Sequence, residues 1–500
     1  MNPWQKLLPS ILGVVVVLTL LSNLPLHADA SDRPGTADLS NLPPAAQSSI
    51  YAIIARDFSR DEDGTPSEPN PQKPGNMPTH APVGSEPWGK QATLIASDGA
   101  KSNELGYSVA ISGDTVVVGA PYATVGSKYA QGAAYVFVKP ASGWANLTDT
   151  AKLTASEAAE QAFFGSSVAI SGDTVVVGSD GANVGAGQYQ GAAYVFVKPA
   201  GGWGKMTETA KLTAADGATY AYFGSSVSVS ETTVVVGADG ANVGSNKYQG
   251  AAYVFEKPAA GWKTTSAFAA KLTAADATHN SQLGYSISIR GSTLVAGARS
   301  AAVGTNSQQG AAYVFVRPAD GWTTGTETAK LTASDGASGD QLGYSVSTDG
   351  DVVAAGAPGS NSHGAAYIFV KPAGGWAKMT QTAKLTGSDG APRDQLGYSV
   401  SVSGEIVVAG ALNAAVSGSD RQGAVYVFAK PAKGWADVTQ TAKLTARTGR
   451  PRDELGSSVS TNGDAIVAGA VDATVGQNPF QGALHLFENP AGPRPKPAGN

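Results

Sequence analysis

Short apolar runs alternate with polar, glycine-rich turns from Trp88 almost to the end of the chain. In the first unit these runs are YSVAIS, TVVVGA, AAYVFV and, after a loop that contains a tryptophan, AKLTA. Runs of this length bounded by glycine, aspartate and serine predict β-strands. All six residues of AAYVFV are apolar, so both faces of its sheet have to be covered.

This four-strand pattern recurs seven times, and each copy starts at a glycine preceded by Phe or Leu. These hinge glycines are spaced by 54 to 60 residues and are Gly106, Gly165, Gly224, Gly284, Gly343, Gly397 and Gly456. A parallel β-helix has a much shorter period, and a row of sandwiches needs more strands per unit. Sheets that are apolar on both faces bury them by stacking around a closed ring. We therefore predict an all-β fold, a seven-bladed β-propeller of four-stranded antiparallel blades over residues 88–490.

One AKLTA-like strand precedes the first hinge glycine and has no blade of its own. This strand is ATLIA at residues 92–96. We expect it to cross the gap of the ring and to form the outer strand of the seventh blade, beside ALHLFE at residues 483–488. Such a closure removes two exposed sheet edges.

The N-terminal residues 1–30 are predicted to be a secretory signal peptide. Lys6 precedes the apolar run ILGVVVVLTLL, and Ala28-Asp29-Ala30 has the small residues of a cleavage site. The rival interpretation, an uncleaved anchor, needs a run of roughly 20 residues, about twice as long. We expect a secreted, extracellular or cell-envelope protein without stable membrane insertion after signal cleavage.

The segments that flank the repeats have a different composition. Residues 31–87 are rich in Pro, Ser, Asp and Asn, which predicts a disordered linker. Residues 44–59 within it have the pattern of a short helix, either docked or transient, whose role stays open. Residues 491–500 are predicted to be a disordered tail.

Composition excludes several classes of function. The formal net charge of −5 is small, which argues against a nucleic-acid partner. The chain has no cysteine, which excludes disulfides, thiolate metal sites and cysteine nucleophiles. We expect a monomer.

The pairing of Phe-Gly with a downstream Gly-Ala-Pro resembles the FG-GAP repeat of integrin α subunits and of many exported bacterial proteins. Phe164-Gly165 and Phe223-Gly224 match the first half, and Gly119-Ala120-Pro121 and Gly356-Ala357-Pro358 match the second. The other copies drift from this pattern, but the resemblance extends over all seven repeats. It implies the propeller fold and, by likeness to integrin heads, a role in binding or adhesion.

Calcium is not expected, although some integrin-type blades carry an acidic D-x-D-x-D-G calcium loop between their first two strands. In this chain that connection is a tight turn, with single acids such as Asp114 and Asp173 and one pair, Asp349 with Asp351. A calcium ion needs six to eight oxygen ligands. We therefore expect no cofactor and no metal.

The sequence lacks the common motifs of metalloproteases, serine hydrolases and phosphate-binding loops. Asp340, Asp394 and Asp453 share one position before the hinge and are interpreted as turn caps. His485 replaces a repeated tyrosine and is interpreted as a strand residue. No acids or bases are expected to cluster at the central channel, so we predict that the protein is not an enzyme. A polysaccharide-acting enzyme or accessory domain and a purely structural envelope protein are the alternatives.

The loops between the second and third strands differ among the copies, whereas the strands do not. Loops on a rigid scaffold commonly carry binding sites, and aromatic and arginine side chains are common interface anchors. By topology these loops share a face with the segments before the hinge glycines. The candidate ligand-binding residues on this face are Tyr129, Tyr189, Tyr248, Tyr220, Tyr222, Arg299, Arg421 and Phe480. The rival interpretation is that the tyrosines pack onto the neighbouring blade. We predict an exported non-catalytic binding or adhesion module whose variable loops meet an extracellular protein or glycan.

Overall fold

The structure, a computed structural model, describes residues 88–157 and 159–489. Seven antiparallel sheets each begin with a strand that contacts the first strand of the next sheet, and the seventh contacts the first. These contacts close a ring, so the predicted seven-bladed β-propeller is confirmed. The predicted signal peptide, the linker with its possible helix at 44–59, and the tail at 491–500 lie outside the described residues.

Each blade consists of four main strands that follow one another from the ring axis outward. Blade 1 contains Ser108–Ser112, Thr115–Ala120, Ala133–Val138 and Ala151–Leu153. Blade 2 contains Ser167–Ser171, Thr174–Ser179, Ala192–Val197 and Ala210–Leu212. Blade 3 contains Ser226–Ser230, Thr233–Ala238, Ala251–Glu256 and Ala270–Thr273. Blade 4 contains Leu283–Arg290, Thr293–Ala298, Ala311–Val316 and Ala329–Thr332.

The remaining blades follow the same order. Blade 5 contains Ser345–Thr348, Val352–Ala357, Ala365–Val370 and Ala383–Thr386, with a 3-10 helix at Ser360–Ser362. Blade 6 contains Ser399–Ser403, Ile406–Ala411, Ala424–Ala429 and Ala442–Leu444. Blade 7 contains Leu455–Thr461, Ala465–Ala470, Ala483–Glu488 and Lys90–Ile95. Two-residue strands at Leu147–Thr148, Gly325–Thr326, Met379–Thr380 and Val438–Thr439 add to the outer strands of blades 7, 3, 4 and 5.

The hydrophobic core lies between the blades rather than inside any one of them. One cluster joins Val176 of blade 2 to Val234 and Val236 of blade 3, and equivalent clusters fill the other junctions. The second strand of blade 3 is apolar on both faces, because Val234 and Val236 pack against blade 2 and Val235 packs against blade 4. A single blade therefore cannot bury its own apolar surface, which explains why the unit is repeated.

The N-terminal strand closes the ring as predicted. Lys90–Ile95 runs antiparallel to Ala483–Glu488, with Leu94 opposite Leu484. The Leu94 side chain is fully buried. Trp88 packs in the core between blades 6 and 7. At the other junctions a loop tryptophan, such as Trp262 between blades 2 and 3, fills the corresponding place.

An acid, a tyrosine and a lysine form a polar cluster, which we call the blade clamp, at six of the seven junctions. Between blades 3 and 4, the Tyr313 hydroxyl donates to Asp276 Oδ1 at 2.9 Å, and Lys330 Nζ donates to Asp276 Oδ2 at 2.7 Å. The clamp acids are Asp98, Glu157, Asp216, Asp276, Asp335 and Asp389. At the junction of blades 6 and 7, Thr448, His485 and Thr93 stand at the three clamp positions.

We expect Asp276→Asn to lower the free energy of unfolding by about 1 kcal/mol at pH 7, since the acid is half exposed and its ion pair is screened. Burial alone would raise the pKa of Asp276, but the hydrogen bonds from Lys330 and Tyr313 outweigh it and hold the pKa below its usual range. A carboxyl with a lowered pKa stabilises the fold above its unfolded pKa of about 3.9. The stabilisation is lost as the pH falls through the folded pKa. Urea unfolding of both proteins at pH 7 and in acid measures this difference.

The matched control is Asp320→Asn, which changes an exposed loop acid outside the clamp positions. It should leave the unfolding midpoint at pH 7 within error. A loss for Asp276→Asn that stays the same size at low pH would show that the carboxylate charge does not stabilise this junction.

No helix in the described part of the chain is long and apolar enough to span a membrane.

Candidate binding face

The hinge face of the propeller is formed by the loops between second and third strands and by the segments before the hinge glycines. The two sets are joined by backbone hydrogen bonds. The Tyr222 N–H donates to the Tyr189 carbonyl at 3.2 Å, and the Phe223 N–H donates to the Gln190 carbonyl at 2.9 Å. The loop of one blade is thereby fixed to the hinge segment of the next, which confirms that the two sets share one face.

Left-handed backbone conformations recur at the blade junctions of this face. At the junction of blades 2 and 3 they occur at Tyr189, Tyr220 and Tyr222, with φ angles of 49°, 62° and 53°. Such angles are uncommon for residues other than glycine, because the Cβ atom crowds the backbone. Positive φ recurs at equivalent positions of other blades with different residue types, so the hydrogen-bonded frame imposes it.

Three of the predicted site residues form one aromatic cluster across the junction of blades 2 and 3. The rings of Tyr189 and Tyr220 are stacked, with centroids 5.9 Å apart and an interplanar angle of 16°. The Tyr222 ring centroid lies 6.4 Å from each of theirs. All three side chains are half-buried, so they pack on one another across the blades and also face the surface.

The other predicted aromatic residues lie apart from this cluster. Tyr248 contacts the exposed His279 ring, with centroids 6.3 Å apart. Tyr129 is 54% exposed and Phe480 is 38% exposed. The structure therefore does not gather the predicted residues into a single pocket.

Arg421 is held by the hinge segment of blade 7. Its guanidinium forms an ion pair with Glu454, and its Nε donates to Asn413 Oδ1 at 3.1 Å. Burial raises the pKa of Glu454 to about 7, the charge of Asp472 adds to this rise, and Arg421 opposes it. Arg421 is therefore partly neutralised within the protein itself.

Arg299 lies at the mouth of the central channel, inside a row of tyrosines. Tyr285, Tyr344 and Tyr398 follow the hinge glycines of blades 4, 5 and 6, and neighbouring rings have centroids 5.1 Å and 4.8 Å apart. The Arg299 guanidinium lies 3.8 Å from the Tyr285 ring centroid. Its Nε donates to Gln282 Oε1 at 3.0 Å. The tyrosine row could bind a cation over its rings, but the Arg299 guanidinium of the protein itself occupies that position.

Two acids lie at the mouth of the channel in the two blades that precede blade 4, and the nearer one, Asp239, interacts with Arg299. Asp180 and Asp239 follow the second strands of blades 2 and 3, at the position that Arg299 occupies in blade 4. Burial raises the pKa of Asp180 to about 6; the neighbouring Ser166 hydroxyl opposes this rise, and the charge of Asp239 adds to it. Burial also raises the pKa of Asp239, against the opposing charge of Arg299.

The expectation that no acids cluster at the channel is therefore wrong. The signal was present in the sequence, because Gly-Ser-Asp and Gly-Ala-Asp stand where blades 1 and 5 have Gly-Ala-Pro. The sequence alone does not show that these aspartates meet, because the residue after the second strand comes near its counterparts only when the blades are arranged around the axis.

Two aromatic rings flank these acids. A Cβ atom on Gly181 would lie 2.5 Å from the Phe163 ring, and one on Gly240 would lie 2.7 Å from the Tyr222 ring. Both rings therefore lie directly on glycines that follow the two aspartates. We call the set of Phe163, Ser166, Asp180, Tyr222, Ser225 and Asp239 the mouth pocket.

The opposite face of the ring has a shallow polar cavity of about 330 Å³. Turns of blades 2 to 5 line it, including Glu231, Arg290 and Asp349. Asp349 Oδ1 accepts the Val352 N–H at 2.9 Å, so this acid caps its own turn. The ionic groups around the cavity are of both signs and define no single class of ligand.

The remaining candidate residues have structural roles. Asp340, Asp394 and Asp453 each accept a hydrogen bond from the backbone N–H three residues earlier, at 2.9, 2.8 and 2.7 Å, which confirms the turn caps. His485 lies in the third strand of blade 7 beside Gln91, as predicted. Residues 88–157 and 159–489 contain no group of three or more His, Asp or Glu side chains placed to hold a metal ion. The expected absence of calcium stays a prediction.

A family model of the FG-GAP repeat matches seven segments of the chain. They are residues 88–137, 147–196, 206–255, 267–315, 326–369, 379–428 and 438–487. The chain therefore belongs to the FG-GAP repeat family, and the resemblance inferred from the sequence is confirmed. A search of curated proteins finds no significant match.

Proposed function

We propose that this protein is an exported, non-catalytic binding or adhesion module that holds an extracellular protein or glycan on its hinge face. The FG-GAP propeller is a fold often used in binding. Export is supported by the signal-peptide pattern at the N-terminus. The module acts as a monomer, without nucleic acid and without calcium.

The observation that carries this proposal is the contrast between the frame and its hinge face. The third strand reads AAYVFV in blades 1, 2 and 4 and changes by one residue in blades 3 and 5. At the mouth of the channel, the residue after the second strand differs in most blades. From blade 1 to blade 7 it is Pro121, Asp180, Asp239, Arg299, Pro358, Leu412 and Val471. A uniform frame with a varied face is the arrangement of a recognition surface.

A polysaccharide-acting enzyme is the second candidate, and one observation favours it. Asp180 and Asp239 bring two carboxyl groups to the same end of the channel, and burial raises the pKa of both. Glycoside hydrolysis commonly uses a carboxyl pair in which one pKa is raised. Release of reducing sugar ends from polysaccharides, measured with the same protein sample, decides between the two functions.

The test of the binding function uses the chain from residue 31 onward on an array of glycans and extracellular proteins, with and without EDTA. We expect saturable binding that survives EDTA. The double variant Tyr189→Ala/Tyr248→Ala should bind at least about tenfold more weakly, because it removes two aromatic contacts from the hinge face.

Lys198→Ala is the matched control, since Lys198 pairs with Asp173 on the opposite face. It should leave the affinity unchanged. Absence of saturable binding would favour a structural envelope role, and loss of binding in EDTA would show that a metal ion is required.

A further inference from the structure

The mouth pocket gathers buried oxygen atoms that have no hydrogen-bond partner. Asp180 Oδ1, Ser166 Oγ and Ser225 Oγ are all of this kind. Ser166 lies beside Asp180 and Ser225 lies beside Asp239, but neither pair meets the geometry of a hydrogen bond. The other buried side-chain atoms without a partner in the described part of the chain are tryptophan indole nitrogens. The unpaired oxygens therefore lie beside the aspartates of two adjacent blades, Asp180 in blade 2 and Asp239 in blade 3.

An unpaired buried polar atom is costly to the fold, so three at one site indicate a place where an external group supplies the missing bonds. The residues that carry these oxygens, Asp180, Ser166 and Ser225, are half-buried. Tyr107, at the equivalent mouth position of blade 1, is 44% exposed. The mouth of the channel is therefore partly exposed, although the three oxygen atoms themselves are covered.

Two aromatic side chains form the walls of the pocket. Phe163 lies on Gly181, directly after Asp180 in the chain, and Tyr222 lies on Gly240. Burial raises the pKa of the Tyr222 phenol, and the charges of Asp239 and Asp180 raise it further, which places this ring close to both acids. Each of the two aspartates therefore has an aromatic ring of its own blade beside it.

The chemistry of these groups selects among classes of ligand. The two acids disfavour an anion. A cation is also disfavoured, because it cannot accept a hydrogen bond from the serine hydroxyls. In addition, Arg299 already supplies positive charge beside Asp239. A sugar ring presents C–H groups to aromatic faces, and its hydroxyls both donate to a carboxylate and accept from serine. It therefore satisfies every group in the pocket.

We infer that the mouth pocket binds one neutral sugar unit of a glycan. Phe163 and Tyr222 supply aromatic contacts to the sugar ring, and Asp180, Ser166 and Ser225 form hydrogen bonds with its hydroxyls. This inference rests on the proposed binding function and names its ligand class and its site.

The repeat itself supplies variants that the fold accepts. Asp180→Val copies blade 7, which has Val471 at this position, and Tyr222→Gln copies blade 4, which has Gln282. The probes are immobilised neutral oligosaccharides of glucose, galactose, mannose and N-acetylglucosamine. Both variants should bind the recognised oligosaccharide at least about tenfold more weakly, because each removes a group that contacts the sugar. Their thermal unfolding should stay close to that of the parent.

Gln341→Ala is the matched control, because Gln341 occupies the Tyr222 position in blade 5. Its affinity should remain within about twofold of the parent, a change smaller than the loss of one hydrogen bond. Choline chloride, a cationic competitor, should not displace the oligosaccharide. Displacement by choline at the concentration at which the free sugar competes would overturn the assignment of a neutral sugar.

The inference and the proposed function fail in different ways. Glycan binding that is unchanged in both pocket variants would leave the proposed function intact and overturn the mouth pocket as its site. Binding of a protein ligand without any neutral oligosaccharide would overturn the sugar and keep the binding module. Absence of binding to every glycan and protein on the array would contradict both the sugar site and the proposed binding function.

Discussion

Gly191→Ala is expected to destabilise the ring by about 4 kcal/mol, because it adds a side chain where two blades meet backbone to backbone. Gly191 precedes the third strand of blade 2 and has a φ of +85°. A Cβ atom there would lie 2.0 Å from the Phe223 carbonyl oxygen of the next blade's hinge segment. Both contacting groups are backbone, so neither can rotate away. The measurement is the midpoint of chemical unfolding, followed by circular dichroism.

Gly185→Ala separates the steric contact from the backbone strain. Gly185 also has a positive φ, +57°, but a Cβ atom there would meet nothing within 4 Å. This variant should lose only about 1 kcal/mol, the cost of placing an alanine in the left-handed region. Equal losses for the two variants would show that the close approach between blades does not limit stability.

The fold could be predicted from the sequence because its determinants recur within each repeat. The hinge glycines set the number of blades, and the apolar pattern of the third strand showed that both faces of each sheet are covered. The unpaired strand at residues 92–96 even indicated how the ring closes. Each of these signals is visible within one repeat or by comparing neighbouring repeats.

The site was harder to predict because its residues meet only through the radial arrangement. Asp180 and Asp239 are one full repeat apart in the chain, yet they interact at the axis. Likewise, the left-handed backbone at Tyr189 and Tyr222 comes from hydrogen bonds between blades, and tyrosine has no preference for this conformation. The sequence identified residues on the correct face but not which of them lie together.

The clamps and the closing strand show that one junction differs from the other six. Between blades 6 and 7, Thr448, His485 and Thr93 replace the clamp residues. The Arg447 guanidinium instead donates to the Gly89 carbonyl at 2.9 Å. The N-terminal segment thus supplies a contact of its own at the junction that lacks the clamp residues.

A chain that begins at Ser97 is expected to lose about 5 kcal/mol of stability relative to one that begins at Trp88, because it lacks two large buried side chains. These are Trp88 and Leu94, each of which contributes roughly 1.5–3 kcal/mol. The shorter chain also leaves the strand Ala483–Glu488 as a free edge, and free edges promote association. Thermal unfolding should occur at a lower temperature, and light scattering should show aggregation at lower protein concentration.

Moving residues 88–96 to follow residue 489 tests whether the strand itself closes the ring. Lys90 pairs with Glu488, so a short turn can join the two strands as a hairpin. We expect this rearranged chain to regain most of the lost stability, because in every other blade the outer strand follows the third strand directly in the chain. The rearranged chain could instead be as unstable as the chain that begins at Ser97. That result would show that the covalent link between the N-terminal strand and the first blade holds the propeller closed, and that the contacts of the strand do not.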